Sequence, residues 1–430
     1  MTVSIVATET STLTIIGTPA LAYGSNLAFL QLAFGYIVAR FVISFLLLPQ
    51  YFAGELYTAY QYIERRFGAA TKKLTAGLFL ITRALAEGVR VFATSLVVSA
   101  MLGTNTLTSI LVITLVTLFY TLQGGMRAVI WTDVVQFFLY VAGGLVVLGE
   151  LLHRISGGWE QVVQAAGDKL TVFDFGFAWN KTYSFWAGLL GGTFLSLASH
   201  GTDQLMVQRL LAGRSLRQSQ VALIWSGFIV LAQFALFLVI GVLLFVFYQQ
   251  FPPPAPLVKN DDILPQFMVT HLPPGLAGLF VAAVLAAAMS TSSATLNSLA
   301  ASTVVDFGGG ESTTAEKSVE RSRWITLVWG VVMIGLALWA QQWGPVLEAG
   351  LAIASITYGA MLGVFLLGRL TRTANAKGTA VGMAIGLATI LIVRFFTPVA
   401  WTWYVLIGTV ATFGAGYLAS RALAGRERFQ

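Results

Sequence analysis

The sequence predicts an all-α polytopic membrane protein, and three observations carry that reading. Of 430 residues, 57% are hydrophobic and only 10% are charged, where a soluble domain carries roughly 25% charged residues. Mean hydropathy is +0.79. Apolar runs recur along the chain, and at about 20 residues per span the length holds roughly a dozen of them. A soluble enzyme of this size needs far more polar surface than the sequence offers. Disordered and collagen-like classes are excluded by the same composition.

Twelve spans are read in order: Val3 to Tyr23, Leu27 to Phe52, Leu74 to Leu102, Thr106 to Leu122, Val129 to Leu152 and Tyr183 to Leu205. They continue with Val221 to Tyr248, Pro274 to Val305, Trp324 to Trp343, Val346 to Leu367, Thr379 to Phe396 and Val399 to Ala422. With the N-terminus placed in the cytoplasm and loops alternating, 17 of the 25 Lys and Arg residues fall inside and 4 fall outside. That asymmetry obeys the positive-inside rule and predicts cytoplasmic N- and C-termini in an inner cell membrane. The net charge of +7 is accounted for in this way, and no basic cluster points to nucleic acid. Two outer segments, His153 to Thr182 and Gln249 to Pro273, have room for short surface helices and read as connectors or as an extracellular gate. The first span begins almost at Met1, which predicts a misplaced start or a fragment of something longer; no secretory cleavage pattern is present.

Chemistry is sought at membrane depth, where ionisable groups are expensive and mark pathways. There is no cysteine, and the three histidines, His153, His200 and His271, lie far apart in sequence. That excludes thiol chemistry and argues against a histidine metal centre. No nucleophile–base pair stands out, so a transporter is expected rather than an enzyme. On the eighth span Ala287, Ser290 and Thr291 stand at i, i+3 and i+4 and share a helix face. Two hydroxyls and a carbonyl there suit either a small hard cation or close helix packing.

The first span, Ala7-Thr8-Glu9-Thr10-Ser11-Thr12-Leu13-Thr14 followed by Gly17 and Pro19, is a poor continuous helix. The sixth breaks its apolar run at Ser199-His200-Gly201-Thr202-Asp203-Gln204. Two interrupted spans at corresponding positions of two five-helix halves point to an inverted-repeat secondary transporter with its site at the midplane.

Four stretches together carry a family resemblance. They are Glu55 to Tyr60 with Glu64-Arg65-Arg66-Phe67-Gly68; Tyr120-Thr121 through Gly124-Gly125 to Thr132-Asp133; Thr202-Asp203-Gln204 to Gln208-Arg209; and Ala286 to Asp306, with Met289-Ser290-Thr291 and Leu296-Asn297-Ser298. In order and spacing the chain resembles a bacterial-like member of the sodium/solute symporter family from about Ser4 to Leu367. The resemblance implies a LeuT-type fold: inverted repeats over 1–152 and 183–368, an extracellular loop at 153–182, and C-terminal helices with a short tail at 369–430. It also implies that the usual helix ahead of the first repeat is absent.

By position, the family's sodium site falls on the carbonyls of Ala7, Thr10 and Ala287 and the hydroxyls of Ser290 and Thr291. Asp133 matches a carboxylate near that site; its local alternative is an N-cap. Some members bind a second sodium here, for which Ser293 is available but Ala294 is not, so one Na+ per cycle is expected. Glu9 is a departure suited to a cationic group, a proton or added charge near sodium. Glu87 pairs with Arg90 or Arg83 at helical spacing, or one of these arginines faces the pathway and clamps a carboxylate. Ser11, Thr14, Ser355, Thr357 and Tyr358 complete the candidate pocket. The expected function is Na+-driven symport of a small polar organic solute across the lipid bilayer, with no obligate protein partner evident. A proton-coupled permease using Glu9 and a transporter-like membrane sensor are the alternatives.

Overall fold

A computed structural model describes residues 2–53, 59–123, 126–253, 259–307 and 315–427, with backbone alone at 120, 123, 126–133, 315–319 and 424–427. The first expected span is two pieces: α1 (Thr2–Glu9), then a π-helical turn at Leu13–Gly17 running into α2 (Thr18–Gly24). The second is α3 (Leu30–Val42), a π turn at Ile43–Leu47 and α4 (Leu48–Ala53). Then follow α5 (Ala59–Leu102), α6 (Thr106–Gln123), α7 (Met126–Arg154) and the short helix α8 (Gly158–Ala166).

The second set of five spans also opens on a divided helix. A π turn at Ala187–Gly191 leads into α9 (Gly192–Gly201), and α10 (Gln204–Leu211) resumes after a break. It continues with α11 (Leu216–Gln250), the short helix α12 (Ile263–His271), α13 (Pro274–Phe307), α14 (Ala315–Ala340) and α15 (Val346–Leu370). Helices α16 (Ala376–Phe396) and α17 (Tyr404–Glu427) pack together and on α15. Among the described residues nine helices are long and apolar enough to cross a membrane; the divided first and sixth spans and the shorter α6 complete the twelve read from the sequence.

The largest differences from the expected boundaries are at the third and ninth spans. The third span starts at Ala59 rather than Leu74, because Lys72, Lys73 and the Glu64-Arg65-Arg66 cluster hide a helical first part from any apolar window; Gly68, at φ 85°, bends it. The ninth begins at Ala315 rather than Trp324, its first turns holding Glu316, Lys317, Glu320, Arg321 and Arg323, and ends at Ala340, short of Trp343.

The spans flanking the site are held close by small residues, as suits packing without a hydrophobic drive between helices. Helix α3 crosses the 187–201 stretch so tightly that a Cβ on Gly35 would stand 2.4 Å from the Gly188 carbonyl oxygen. Both long segments between spans hold short helices, α8 and α12, the latter largely buried. Lys169 Nζ, beyond α8, donates to the carbonyls of Tyr23 and Ser25 at 2.6 and 3.0 Å, closing the C-terminal end of α2. Asp261, just before α12, is buried and accepts the Val346 amide at 3.1 Å, capping α15.

Candidate functional site

The first break follows from its hydroxyls. Thr8 and Thr10 donate back to the carbonyls of Ser4 and Val6 at 2.7 and 2.8 Å, a habit that loosens helices. The ladder of α1 stops where the Thr10 amide meets the Val6 carbonyl, and the next backbone bonds run from Thr14 and Ile15 to Ser11. A continuous helix would commit the Ala7 carbonyl to the Ser11 amide. Ending the ladder here releases carbonyls between Ala7 and Thr10 for other use. The break is braced from two sides. Thr10 Oγ1 lies 2.8 Å from Gln233 Oε1 on α11, and Thr94 on α5 donates to the Thr12 hydroxyl at 2.9 Å.

The second break is capped by a charge. The Thr202 amide and hydroxyl both donate to the Ala198 carbonyl, ending α9. Asp203 is extended (φ −81°, ψ 125°) and its Oδ1 accepts the Leu205 amide at 3.0 Å, opening α10. A carboxylate at a helix N-terminus meets both the free amides and the positive end of the dipole. The same carboxylate receives Arg83 Nη2 at 2.8 Å and the Tyr358 hydroxyl at 2.7 Å, so α5, α10 and α15 converge on it.

Glu9 makes the third charged junction. Its Oε2 accepts Arg40 Nη2 from α3 and stands 3.2 Å from His200 Nε2 on α9. Arg40 is fully buried and also donates to Ser226 on α11, while His200 Nδ1 is 2.8 Å from the Ser199 hydroxyl. A buried cation is tolerable only with such partners.

Between these junctions lies a cavity of about 120 Å³. The first span contributes Glu9, Ser11, Leu13 and Thr14; α5 contributes Arg83 and Arg90; α9 contributes Ser199 and His200; α15 contributes Tyr358. Tyr36 and Phe234, ring centroids 6.3 Å apart, add an aromatic wall. The lining is thus an apolar shell with a few convergent polar groups, the usual character of a small-molecule site.

Beside the cavity, α13 packs against both α1 and α5. Ala287, Ser290, Thr291 and Ser293 are all buried on it, as are Ala7 and Thr10 on the first span. Thr291 donates its hydroxyl hydrogen to the Ala287 carbonyl at 3.0 Å, which leaves the oxygen lone pairs free to face a cation. Ser292 and Thr295 instead donate across to Glu87, the latter at 3.0 Å.

Of the solute-contact residues expected from sequence, Glu9, Ser11, Thr14, Arg90 and Tyr358 line the cavity. Three others sit elsewhere. Glu87 faces α13 and bonds Arg90 Nη1 at 3.2 Å; Ser355 bonds back to the Leu351 carbonyl at 2.7 Å; Thr357 meets the Thr82 hydroxyl. The Asp133 side chain lies outside the described residues. His200, Arg40 and Tyr36 were not anticipated as site residues. For Arg40 the available signal was its charge inside an apolar span.

The model of the sodium:solute symporter family matches residues 1–386. The mouse sodium-coupled monocarboxylate transporter 2 is 29% identical over 89% of this chain and 63% of its own length, so the chain spans less than two thirds of that relative. The sodium/sialic acid symporter SiaT of Proteus mirabilis is 27% identical over 97% of this chain and 86% of its own. A solved Na+-coupled sialic acid symporter in a substrate-bound, outward-open state superposes with a TM-score of 0.89 at 26% identity, covering 98% of this chain and 89% of that one. The two divided spans and the surrounding helices therefore form the LeuT-type inverted-repeat architecture, and the chain belongs to the sodium:solute symporter family.

Proposed function

We propose that this chain is a sodium-coupled symporter that imports a small polar organic solute by alternating access. The observation that carries the reading is the end of the α1 ladder at Thr10, which frees the carbonyls of Ala7 and Thr10 on a helix packed against the hydroxyl-bearing α13, next to a polar cavity. One Na+ would be held by the carbonyls of Ala7, Thr10 and Ala287 and the hydroxyls of Ser290 and Thr291. Such a site joins two elements that move relative to one another, so ion binding favours the state in which they are together. Because Glu9, Ser11 and Thr14 lie on the same broken segment and face the cavity, ion and solute bias one equilibrium, and each raises the other's affinity. Asp133 and Ser293 are assigned to the surroundings of this ion.

The solute is a carboxylate or zwitterion. Arg90 faces the cavity with its Nε buried and without a partner among the described residues, and a guanidinium is the side chain best shaped to clamp a carboxylate. Two of the relatives' named solutes, a monocarboxylate and sialic acid, carry that group, while another relative is a sodium/iodide cotransporter. The positive-inside pattern supports cytoplasmic termini.

A second reading, proton coupling, is favoured by one feature: Glu9 and His200 both line the cavity. One titration separates the two. Intrinsic fluorescence of the 11 tryptophans is followed against sodium, with potassium and choline as controls. A saturable, sodium-specific change that disappears in Ser290→Ala/Thr291→Ala supports the sodium reading. A folded protein indifferent to sodium overturns it and transfers the screen to pH.

A further inference from the structure

Four side chains, Ser292, Thr295, Glu87 and Arg90, form a chain of contacts between α13 and the cavity. Glu87 is fully buried at membrane depth on α5. Its Oε1 accepts the Ser292 hydroxyl; its Oε2 accepts Thr295 at 3.0 Å and Arg90 Nη1 at 3.2 Å. Ser292 follows Thr291 directly in sequence, and Thr295 stands one helical turn beyond Thr291 on the same face, so the Glu87 donors adjoin the candidate ion ligands along α13. Many helix hydroxyls in this protein bond back to a carbonyl of their own helix, as Thr291 does to Ala287 and Thr303 to Leu299. Ser292 and Thr295 depart from that habit to serve Glu87.

From this geometry we infer that Glu87 is a positioning residue that reports the state of the ion site to Arg90. The inference rests on the sodium-symport reading. A buried carboxylate must be satisfied by donors. While α13 supplies two of them, Glu87 keeps Arg90 by the single 3.2 Å contact to Nη1, and the rest of the guanidinium, with its Nε unpartnered among the described residues, is left to the solute. When the ion departs and the two hydroxyls relax onto their own helix carbonyls, Glu87 draws Arg90 onto itself. The cavity then loses its anion clamp. This gives a route of ion–solute coupling through α13 and α5, separate from the one through the broken first span.

The relay predicts opposite signatures for its two ends. Arg90 in the full chain is labelled with phenylglyoxal, an arginine-directed dicarbonyl, and quantified by peptide mass spectrometry with sodium or choline present. In the wild type, sodium speeds labelling by at least about fivefold, the lower range of allosteric coupling. In Glu87→Gln labelling is fast with or without sodium, because a neutral amide holds the guanidinium far more weakly than a carboxylate does. In Ser292→Ala/Thr295→Val it is slow in both, because Glu87 then holds Arg90 permanently. The saturable tryptophan response to sodium persists in both variants and reports that each is folded.

Labelling indifferent to sodium in a wild type that still shows the fluorescence response overturns the relay and leaves sodium coupling intact. So does a shift in the same direction in both variants. Absence of any fluorescence response in the wild type overturns the sodium reading itself, and the relay with it.

Discussion

Arg83 and Asp203 grip each other through two contacts, Nη2 to Oδ2 at 2.8 Å and Nε to Oδ1 at 3.3 Å, with neither side chain more than 6% exposed. The pair joins α5 to the head of α10, and Tyr358 ties α15 to the same carboxylate. Removing one partner from such a pair strands the other in a medium that cannot solvate it. Asp203→Ala is expected to lose about 3–5 kcal/mol of stability, and Arg83→Met/Asp203→Leu to recover much of the loss. Thermal unfolding in detergent checks both; an Asp203→Ala protein as stable as the wild type would refute the argument.

The hydroxyls on α13 are expected to contribute to ion affinity individually. Thr291→Ala and Ser290→Ala should each raise the half-saturating sodium concentration about tenfold or more, equivalent to ~1.4 kcal/mol. Both should leave the protein folded, since each change removes a small group from a helix rich in alanine. The sodium titration of tryptophan fluorescence measures this, and unchanged curves would remove these residues from the ligand set.

Glu9→Gln separates structural from coupling roles. It leaves the fully buried Arg40 with Ser226 and His200 as its neighbours, so the melting temperature should fall. The sodium response should nonetheless survive, because the ion ligands on that segment are backbone carbonyls. Loss of the sodium response in a protein that remains folded would place the carboxylate in the ion site.

Asp261 predicts a pH dependence outside the membrane. Burial pushes its carboxyl up from 3.8 to about 6, with Asp262 and Glu348 adding to the rise and the Val346 amide and Lys259 opposing it. Ionisation is therefore what the packed segment resists. The penalty is present above pH 6 and is relieved as pH falls from about 6 toward 4. Packing of α12 should tighten across that interval. The chain has no cysteine, so a single label at Thr270→Cys, on the exposed side of α12, can follow the transition by fluorescence. Asp261→Asn should flatten the profile, and a profile unaffected by that change would count against the assignment.

The architecture was legible because it rests on local signals. Apolar length marks spans, hydroxyls around Glu9 mark the first break, and the Gly201-Thr202-Asp203 sequence marks the second. The cavity lining was legible only where a polar residue stands out on its own helix. Ser11, Thr14 and Tyr358 were found as polar groups on helices expected to line the pathway. Arg40 and His200, 31 and 191 residues from Glu9, meet it only through the packing of three helices, which no periodicity encodes. Ser355 and Thr357 misled for a related reason. They neighbour Tyr358 in sequence, but successive helix positions turn by about 100°, and their hydroxyls are spent on Leu351 and Thr82.

The Glu9–Arg40 pair also constrains how the chain enters the bilayer. A charged residue at the centre of a lone span costs about 2.5–3.5 kcal/mol to insert, and the hydroxyl-rich segment around Glu9 does little to offset it. Its neutralising partner emerges 31 residues later, within the next span. The two helices are therefore expected to leave the translocation channel together as a hairpin, already paired. In Arg40→Leu the first span would face the lipid with an unanswered carboxylate, and defective biogenesis rather than altered transport would be its first consequence.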